Sequence, residues 1–470
     1  MRILLPTGAV TASVVQKAAD GLDAHVVVSG EIASFLTPAQ LEEIVRMGSY
    51  DLVIVSGMCT ASFAGVEART HVPIYRGPRH AADLYEILRD LPSLELSRTV
   101  PADDYLAARR SQAARAKLGK LEEKASCDFM LRGIKIGGTS RMKVLAEIMD
   151  AHRVENLRQK VDDCFCSGAD IVDIGFGFDA TTEDVRRCFN ALESVSKPLA
   201  IDSQDPSLIR AALPRADLVL SLQEDNIPGV GTLLATEGTA AVVVPGQNGL
   251  EKNLLLARAA GMHRLIADAL TCPVGSGFAA SIAAFPPPPC PTFFGAGNVV
   301  ELIDADSPGV NALLAGIAHE LHAAVLFTSE HSDKTQGCIG EMRRASEMMA
   351  LVEGRPYPKD LGLDLLVMKE KRRRREPPLS YAEAIAAEPA PREITYDPCG
   401  NFRIGIEGEE IVAVLGGVAV RGRCWADVFY TILKKGDVSL LDHAAYLGAE
   451  LFKAEMAIRF GRSFEQDGPF

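Results

Sequence analysis

The stretch Lys197-Pro-Leu-Ala-Ile-Asp-Ser203 decides the fold of this chain. A proline opens a short apolar run, the run stops on Asp202, and a helical pattern follows at once over residues 205–213. An acid at the carboxyl end of a parallel strand lies at the mouth of an α/β fold, where ligands bind. Several runs in the middle of the chain end in the same way, so the segment predicts a series of strand–helix units.

Eight apolar runs between residues 130 and 352 alternate with helical patterns, which is typical of a (β/α)8, or TIM, barrel. The strands are predicted at Arg132–Ile136, Asp170–Ile174, Pro198–Ile201, Leu218–Ser221, Ala240–Val244, Arg264–Ala267, Thr292–Phe294 and Ala324–Thr328. The sixth helix must lie in Gly277–Phe285, before the four prolines at 286–289, which force an extended exit.

Two smaller segments flank this barrel, so the predicted fold class is α/β with added domains. Residues 1–125 alternate strand and helix and predict a small α/β, Rossmann-like domain, and a charged, Ala-rich helical linker ends it. Residues 126–368 are assigned to the barrel and 369–391 to a solvated linker that begins with a basic run. Residues 392–470 predict a small α+β domain that contains an amphipathic helix.

The composition limits the class of protein. A hydrophobic content of 47% and a charged content of 24% are ordinary for a soluble globular chain. The net charge of −13 argues against nucleic acid or an anionic membrane as a partner. Ten scattered cysteines favour a reduced, cytoplasmic protein. The start is broken too early by Pro6 to be a signal peptide, and no apolar run approaches the ~20 residues that cross a bilayer.

Polar residues follow most of the predicted strands. In a barrel these groups converge on one face, and a carboxylate there can accept two parallel hydrogen bonds from an amino-pyrimidinone edge. The pocket is therefore predicted to bind a flat heterocycle with N–H donors and ring-nitrogen acceptors. The candidate groups are Asp173, Asp202, the loop 223–226, Asp268, the loop 295–298 and the loop 329–337.

The last of these loops has the features of an anion site. Ser329, Ser332, Lys334 and Thr335 lie just before a helix that begins near Gly337. Ser or Thr hydroxyls and a lysine at a helix N-terminus bind phosphate in many proteins. The alternative interpretation is ordinary capping by Ser332 or Thr335.

The middle segment resembles dihydropteroate synthase and the pterin-binding barrel superfamily. The segment 168–175 (GADIVDIG) is similar to the second-strand motif of the family, and 197–203 is similar to its third-strand Ile-Asp-Ser/Thr motif. Asp268 followed by Gly275-Ser-Gly-Phe278 is similar to its sixth-strand motif. The layout of the whole chain resembles the dihydropteroate synthase-like proteins associated with tetrahydromethanopterin in methanogens and methylotrophs.

This chain also departs from the family. The synthase carries Ser-Arg-Lys after strand seven, where this sequence has Gly295-Ala-Gly-Asn298. The synthase carries Arg-x-His after strand eight, where this sequence has Ser329-Glu-His-Ser332. The pterin half of the site is thus retained, and the diphosphate and aminobenzoate half is altered. Asn298 is similar instead to the Asn that faces the pterin in related methyltransferases.

The resemblance implies a role for each candidate residue, and it implies pterin as substrate or ligand with Mg²⁺ as an expected cofactor. No residue is predicted to bind a metal. The catalytic group would be Asp202, Asp268 and Lys334. The pterin would contact Asp173, Asp202, Asn226, Asp268 and Asn298. Phosphate would contact Arg141, Ser332, Lys334 and Thr335.

Three functions follow from the resemblance. The first is a transferase that joins a hydroxymethyl-dihydropterin diphosphate to an arylamine in folate or tetrahydromethanopterin synthesis, a part of one-carbon metabolism. The second is methyl transfer from a methyl-pterin to a corrinoid protein. The third is a pterin-binding protein without catalysis. A homodimer is expected, and nucleic acid and membrane are not expected as partners.

Overall fold

The computed structural model describes residues 1–285, 290–352, 357–359, 361–369, 380–389 and 395–469. The chain divides into two compact units, Met1–Leu379 and Ser380–Phe470. The prolines at 286–289 and most of the predicted linker 369–391 lie outside the described residues. The finer division of the first unit into two domains stays a prediction.

The first unit begins with a parallel sheet in the strand order β2-β1-β3-β4. Leu4 and Val53 pack in one apolar cluster, and Ile3 and Ile54 pack in another, because neighbouring residues of a strand face opposite sides of the sheet. Helices therefore cover both faces. The elements are β1 (Ile3–Gly8), α1 (Ala12–Ala19), β2 (Ala24–Gly30), α2 (Pro38–Arg46), β3 (Leu52–Val55), α3 (Ala64–Thr70), β4 (Ile74–Arg76), α4 (Leu84–Asp90) and α5 (Ala102–Lys124).

A closed barrel of eight parallel strands, preceded by an antiparallel hairpin, forms the centre of this unit and confirms the predicted (β/α)8 fold. The hairpin is β5 (Phe129–Leu131) and β6 (Ile134–Ile136). The barrel strands are β7 (Lys143–Ile148), β8 (Ile171–Gly175), β9 (Leu199–Asp202), β10 (Leu218–Leu222), β11 (Ala240–Val243), β12 (Leu265–Asp268), β13 (Thr292–Phe294) and β14 (Ala323–Ser329).

Helices between the strands form the outer layer of the barrel. Their apolar faces and the outward residues of the strands make the largest core cluster, and Ala114 of α5 packs into it. The helical linker is thus part of the packed structure. The helices are α6 (Leu157–Ser167), α7 (Thr182–Ala191), α8 (Pro206–Ala212), α9 (Ile227–Glu237), α10 (Leu250–Ala259), α11 (Phe278–Ala283), α12 (Gly297–Val300), α13 (Ser307–Glu320) and α14 (Cys338–Ala350).

The hairpin closes the amino-terminal end of the barrel. Leu131 and Ile136 belong to the apolar cluster that fills the barrel interior together with Leu145 of β7 and Ile171 of β8. The Arg132 guanidinium donates to Asp217, just before β10, at 2.8 Å. With this end filled, only the carboxyl end of the strands is left to hold a ligand.

The position predicted for the first barrel strand was wrong. The structure places Arg132–Ile136 around the turn and second strand of the hairpin, and the first barrel strand is β7 instead. The β7 sequence Lys-Val-Leu-Ala-Glu-Ile contains two charged residues, so it does not have the apolar pattern by which the other strands were predicted. The buried Lys143 ammonium is accommodated because it donates to Glu122 and to Ser140. The other seven predicted strands are confirmed within one or two residues.

The second unit combines a three-stranded antiparallel sheet with two helices, as the predicted α+β class requires. Its core holds Ile411 and Ala413 of the sheet against Leu447 and Leu451 of the last helix. The elements are β15 (Arg403–Glu407), β16 (Glu410–Leu415), β17 (Val418–Gly422), α15 (Trp425–Lys435) and α16 (Leu441–Arg459). Across the described parts of both units, no helix combines the length and the apolar character needed to cross a membrane.

Candidate functional site

Acidic side chains gather at the carboxyl end of the barrel strands. Asp173 lies in β8, and Asp202 and Asp268 are the last residues of β9 and β12. The residues two positions earlier, Ile171, Ala200 and Ile266, belong to the apolar cluster inside the barrel. Since side chains alternate along a strand, the three acids also face the interior. They form a polar layer above the apolar one.

Two of these acids and Glu147 of β7 come from adjacent strands and form a compact group, which we call the acid trio: Glu147, Asp173 and Asp202. Glu147 pairs with Asp173 in the strand register, and Asp202 pairs with Gly175. One carboxylate oxygen from each residue lies within 4.8 Å of the others. Gly175 has no side chain, so at the position paired with Asp202 no side chain of β8 lies between Asp202 and Glu147.

Burial and mutual repulsion raise the pKa values of the acid trio. The pKa of Glu147 rises to about 7, through burial first and then through Asp202 and Glu301. Burial raises the pKa of Asp202 to about 6. Burial and the neighbouring carboxylates hold the pKa of Asp173 well above its usual range. Three ionised carboxylates at this spacing are costly without a compensating positive charge or protons.

Asp268 is the fourth interior acid and lies apart from the trio along the barrel ring, because β10 and β11 separate β12 from β9. Its side chain is 8% exposed, and its Oδ1 accepts the backbone N–H of Leu270 at 2.8 Å. Among the described residues, no hydrogen bond reaches its Oδ2. Burial raises the pKa of Asp268 to about 6, against the Leu270 bond, which lowers it.

Asn226 follows β10 as predicted, but its amide already has backbone partners. Its Oδ1 accepts the N–H of Gln223 at 2.9 Å, and its Nδ2 donates to the carbonyls of Ser221 and Gln204 at 3.0 and 3.2 Å. The side chain is buried and fixes the loop after β10. Both Nδ2 hydrogens are used, so a pterin could contact this amide only by donating to the second lone pair of Oδ1. Asn298, in α12 just after β13, is exposed at the same end of the barrel.

The predicted phosphate loop is occupied by an acid of the chain itself. The hydroxyls of Ser329, Ser332 and Thr335 all donate to the Glu301 carboxylate, at 3.2, 2.6 and 2.7 Å. Ser332 and Thr335 also form a capping box for a short 3-10 turn. These bonds favour the capping alternative, although the cap is on the 3-10 turn Asp333–Thr335 and not on α14, and the phosphate role of these two residues stays a prediction. A second anion here would be repelled by Glu301.

The neighbouring positive charges are also engaged. The Lys334 ammonium donates to the Ile303 carbonyl at 2.9 Å and to Asp304 at 3.1 Å. The backbone N–H of Ile339, in the first turn of α14, donates to the Glu330 carboxylate at 3.0 Å. The N-terminus of this helix thus has its own acidic partner, and it does not offer the open anion site that the loop sequence suggested.

Arg141 lies at the opposite end of the barrel, so its assignment as a phosphate ligand was wrong. It precedes β7, and its guanidinium forms a bidentate pair with Asp170, which precedes β8, at 2.7 and 3.0 Å. The misplaced first strand caused this error. The pair is structural: burial tends to raise the Asp170 pKa, but Arg141 and Arg343 outweigh it and lower that pKa.

Sequence reasoning missed Glu147 and Glu301. Glu147 ends an apolar run, as Asp202 does, so the same signal would have found it had β7 been placed correctly. Glu301 follows α12 and had no local signal, because its partners are about thirty residues further along the chain.

A second acidic group lies on the rim, formed by Asp150, His152 and Asp179. The Asp150 and Asp179 side chains are 48% and 56% exposed, and the guanidinium of Arg153 contacts both. This group is therefore solvated and already paired with a cation of the chain.

The N-terminal sheet carries a cavity of its own. It has a volume of about 330 Å³ and lies at the carboxyl ends of β1, β3 and β4. Thr7, Ser34 and Ser56 line it, together with apolar residues of α1 and α4. The loop 56–60, for which the sequence left a ligand-binding role open, borders this cavity and not the barrel.

The fold and the site define a (β/α)8 barrel protein with a group of buried acidic side chains at the carboxyl end of its strands. The chain is 32% identical to the uncharacterized protein MJ0107 of Methanocaldococcus jannaschii over 524 aligned positions, which cover 99% of this chain and 98% of that protein. It belongs to the same family as that protein. A family model described as PterinBD-DUF4346 matches residues 396–467.

Solved structures with a similar barrel were also found. Xanthomonas albilineans dihydropteroate synthase with 4-aminobenzoic acid is 19% identical, with a TM-score of 0.39, and the match covers 46% of this chain and 95% of that one. Mycobacterium tuberculosis Rv1207 is 17% identical, with a TM-score of 0.38, and the match covers 49% of this chain and 100% of that one.

Proposed function

We propose that the barrel binds a pterin at the carboxyl end of its strands. The observation that carries this proposal is Asp268, a buried interior carboxylate with one oxygen fixed by Leu270 and the other without a donor among the described residues. A ligand that covers Asp268 and shields it from water must supply a donor to this oxygen, because a buried acceptor without a partner costs about 1–3 kcal/mol. Asp202 faces the same interior and would contact the opposite side of the ring.

The amino-pyrimidinone edge of a pterin fits this acceptor. It presents an exocyclic N–H and a ring N–H side by side, and a carboxylate accepts such a pair in two parallel hydrogen bonds. The description of the matching family model, PterinBD, supports a pterin as the heterocycle. Its match covers the second unit, so the support concerns the family and not the barrel pocket itself.

Calorimetry of the full-length protein with a 6-hydroxymethyl-7,8-dihydropterin tests the proposal. Asp268→Asn should weaken binding by about tenfold or more, because the amide presents an N–H where an acceptor is required. Glu251→Gln is the control, since Glu251 is exposed in the first turn of α10 and belongs to none of the candidate groups. Undetectable binding by the native protein, or equal affinity in Asp268→Asn, would overturn the proposal.

The reaction that we propose for this pterin is transfer of its exocyclic methylene carbon to an arylamine. The amine nitrogen would form a bond to the methylene carbon, the carbon–oxygen bond to diphosphate would break, and the amine would lose a proton. Glu301 fills the loop that the sequence assigned to phosphate, so the diphosphate would need another binding group. The test is release of diphosphate, which should require the pterin diphosphate and an arylamine together; no turnover with any arylamine and Mg²⁺ would end this proposal.

The filled loop favours a second candidate, methyl transfer from a methyl-pterin to a corrinoid protein. This chemistry has no diphosphate leaving group, so an acidic loop does not oppose it. The methyl group would leave the pterin nitrogen for a reduced cobalt, and the nitrogen would take up a proton. Asn298, exposed beside the pocket, would lie near that nitrogen. A change in the visible spectrum of a reduced corrinoid protein on mixing would support this candidate, and an unchanged spectrum would reject it.

A further inference from the structure

The spacing of the acid trio matches the coordination sphere of a single cation. Oxygen ligands lie about 2.0–2.6 Å from Mg²⁺ or Ca²⁺, so two ligands of one ion are at most about 5 Å apart. The three carboxylate oxygens of Glu147, Asp173 and Asp202 lie within 4.8 Å of one another. They come from three adjacent strands of one barrel, so the backbone holds the spacing.

Asp173 supplies an independent indication of a ligand. Its side chain is 0% exposed, and within the described part of the chain neither Oδ1 nor Oδ2 accepts a hydrogen bond of ordinary geometry. The nearby backbone N–H of Ile174 favours the charged form but does not outweigh the burial that raises the pKa of Asp173. The buried Asp170 is different, because it accepts from Arg141 and from the backbone of Val144. A wholly buried carboxylate without donors is costly unless it coordinates a cation or binds a proton.

The surroundings of the acid trio add negative charge and no positive charge. The charged groups that act on Glu147 are Asp202 and a fourth acid, Glu301. Among the described residues, no lysine, arginine or histidine forms an ion pair with a member of the trio. The rim group of Asp150 and Asp179 is different, because Arg153 already neutralises it. Of the two acidic groups found among the described residues, the trio is thus the one without an ion-pair partner.

We propose that Glu147, Asp173 and Asp202 bind one divalent, oxygen-preferring cation of the Mg²⁺ or Mn²⁺ class. The ligand set contains carboxylates alone, which favours these ions over zinc, whose sites use histidine or cysteine nitrogen and sulfur. Three protein oxygens leave coordination positions for water or for an oxygen of a bound ligand. Glu147 and Asp202, which are only partly buried, form the open side of the site.

This inference goes beyond the proposed function, because metal binding is measured without any pterin. The two proposals also use separable residues. Asp268 belongs to the pterin proposal alone and Glu147 to the metal site alone, whereas Asp202 belongs to both, and the sequence also predicts a pterin contact for Asp173. Loss of metal binding with retained pterin binding, or the reverse, would therefore tell the two apart.

The experiment titrates Mn²⁺ into the chelator-treated full-length protein and follows the free ion by electron paramagnetic resonance and the heat by calorimetry. We expect one site for Mn²⁺, from which Mg²⁺ displaces it. Asp173→Asn and Glu147→Gln should each weaken binding by about tenfold or more. Glu251→Gln, at an exposed acid in the first turn of α10 at the same end of the barrel, should bind as the native protein does.

Three results would overturn the proposal. The first is a native protein that binds no Mn²⁺, and the second is unchanged affinity in both Asp173→Asn and Glu147→Gln. The third is a site that survives these two substitutions and disappears in Asp179→Asn, which would assign the ion to the rim group. Circular dichroism of each variant establishes that it is folded; should Asp173→Asn not fold, Glu147→Gln, at a half-buried position, decides the question.

Discussion

The Ser332 hydroxyl donates a hydrogen bond to the Glu301 carboxylate, and 2.6 Å separates Oγ of Ser332 from Oε2 of Glu301. This contact joins the segment after α12 to the loop after β14. The loop resembles a phosphate-binding loop in sequence, but its hydroxyl groups already have a hydrogen-bond acceptor within the chain. Ser329 and Thr335 donate to the same carboxylate. These bonds outweigh the partial burial of Glu301 and lower its pKa, so the loop contains a fixed negative charge beside the barrel mouth.

Glu301→Ala should destabilise the protein by about 1–3 kcal/mol, since it leaves several partly buried hydroxyls without their acceptor. Urea denaturation of the full-length protein measures the change. Glu320→Ala is the control, because Glu320 is exposed at the end of α13 and its removal should alter stability by no more than about 0.5 kcal/mol. Equal midpoints for Glu301→Ala and the native protein would show that the loop does not depend on Glu301.

Pterin affinity should fall on acidification through Asp268. Burial raises the pKa of this carboxyl to about 6 in the empty site, and the proposed ligand binds the ionised form. As the pH falls through 6 the acceptor is protonated, and below it the affinity should drop about tenfold per pH unit. Calorimetry between pH 5 and pH 8 measures the profile. In Asp268→Asn the residual affinity should lack this step; a step of the same size in that variant would assign the titration to another group.

Most of the barrel was predictable because buried parallel strands are short apolar runs that end on polar residues. Asp202 and Asp268 were found in this way, and the structure places both at the carboxyl end. The first strand was not predictable from the same rule. The Lys143 charge is stabilised by Glu122, and Glu147 joins the acid trio; both relationships exist only after folding.

The errors in the site have the same physical origin. Whether a Ser-Thr-Lys loop binds an external anion or an acid of its own chain depends on a contact across thirty residues, which local sequence does not encode. Arg141 was misassigned because the predicted strand 132–136 placed it after a strand, at the carboxyl end of the barrel. In the structure it precedes β7 and lies at the opposite end. The tetrahydromethanopterin link, the arylamine, the homodimer, the cytoplasmic location and the finer domain boundaries stay predictions.

Arg141 should matter for stability and not for ligand binding. Its pair with Asp170 is buried, with side chains 10% and 7% exposed, and removal of one partner leaves an unpaired charge. Arg141→Ala should therefore cost about 3–5 kcal/mol in urea denaturation. Arg343→Ala should cost less, because Arg343 is 33% exposed and contacts Asp170 at 3.1 Å from the surface side. A folded Arg141→Ala protein that loses diphosphate or pterin binding specifically would contradict the structural role.

The stability of the second unit also depends on a buried acidic residue, Asp397. Its carboxylate accepts the N–H groups of Cys399, Ser439 and Leu440 and contacts Nδ1 of His443 at 3.0 Å. Burial tends to raise the pKa of Asp397, but these hydrogen bonds outweigh it and place the pKa far below its usual range. The unit should thus be stable above the unfolded-state pKa of about 3.9 and should lose stability as the pH falls below it.

Asp397→Asn replaces one carboxylate oxygen, an acceptor, with an NH2 group, a donor. It should therefore lower the free energy of unfolding of the second unit at neutral pH. Hydrogen exchange of residues 395–469 in the full-length protein measures this local effect and separates it from the barrel. Asp442→Asn is the matched control, since Asp442 is exposed in the first turn of α16. Unchanged exchange in Asp397→Asn, or the same loss in Asp442→Asn, would show that the hydrogen bonds to Asp397 do not hold the unit together.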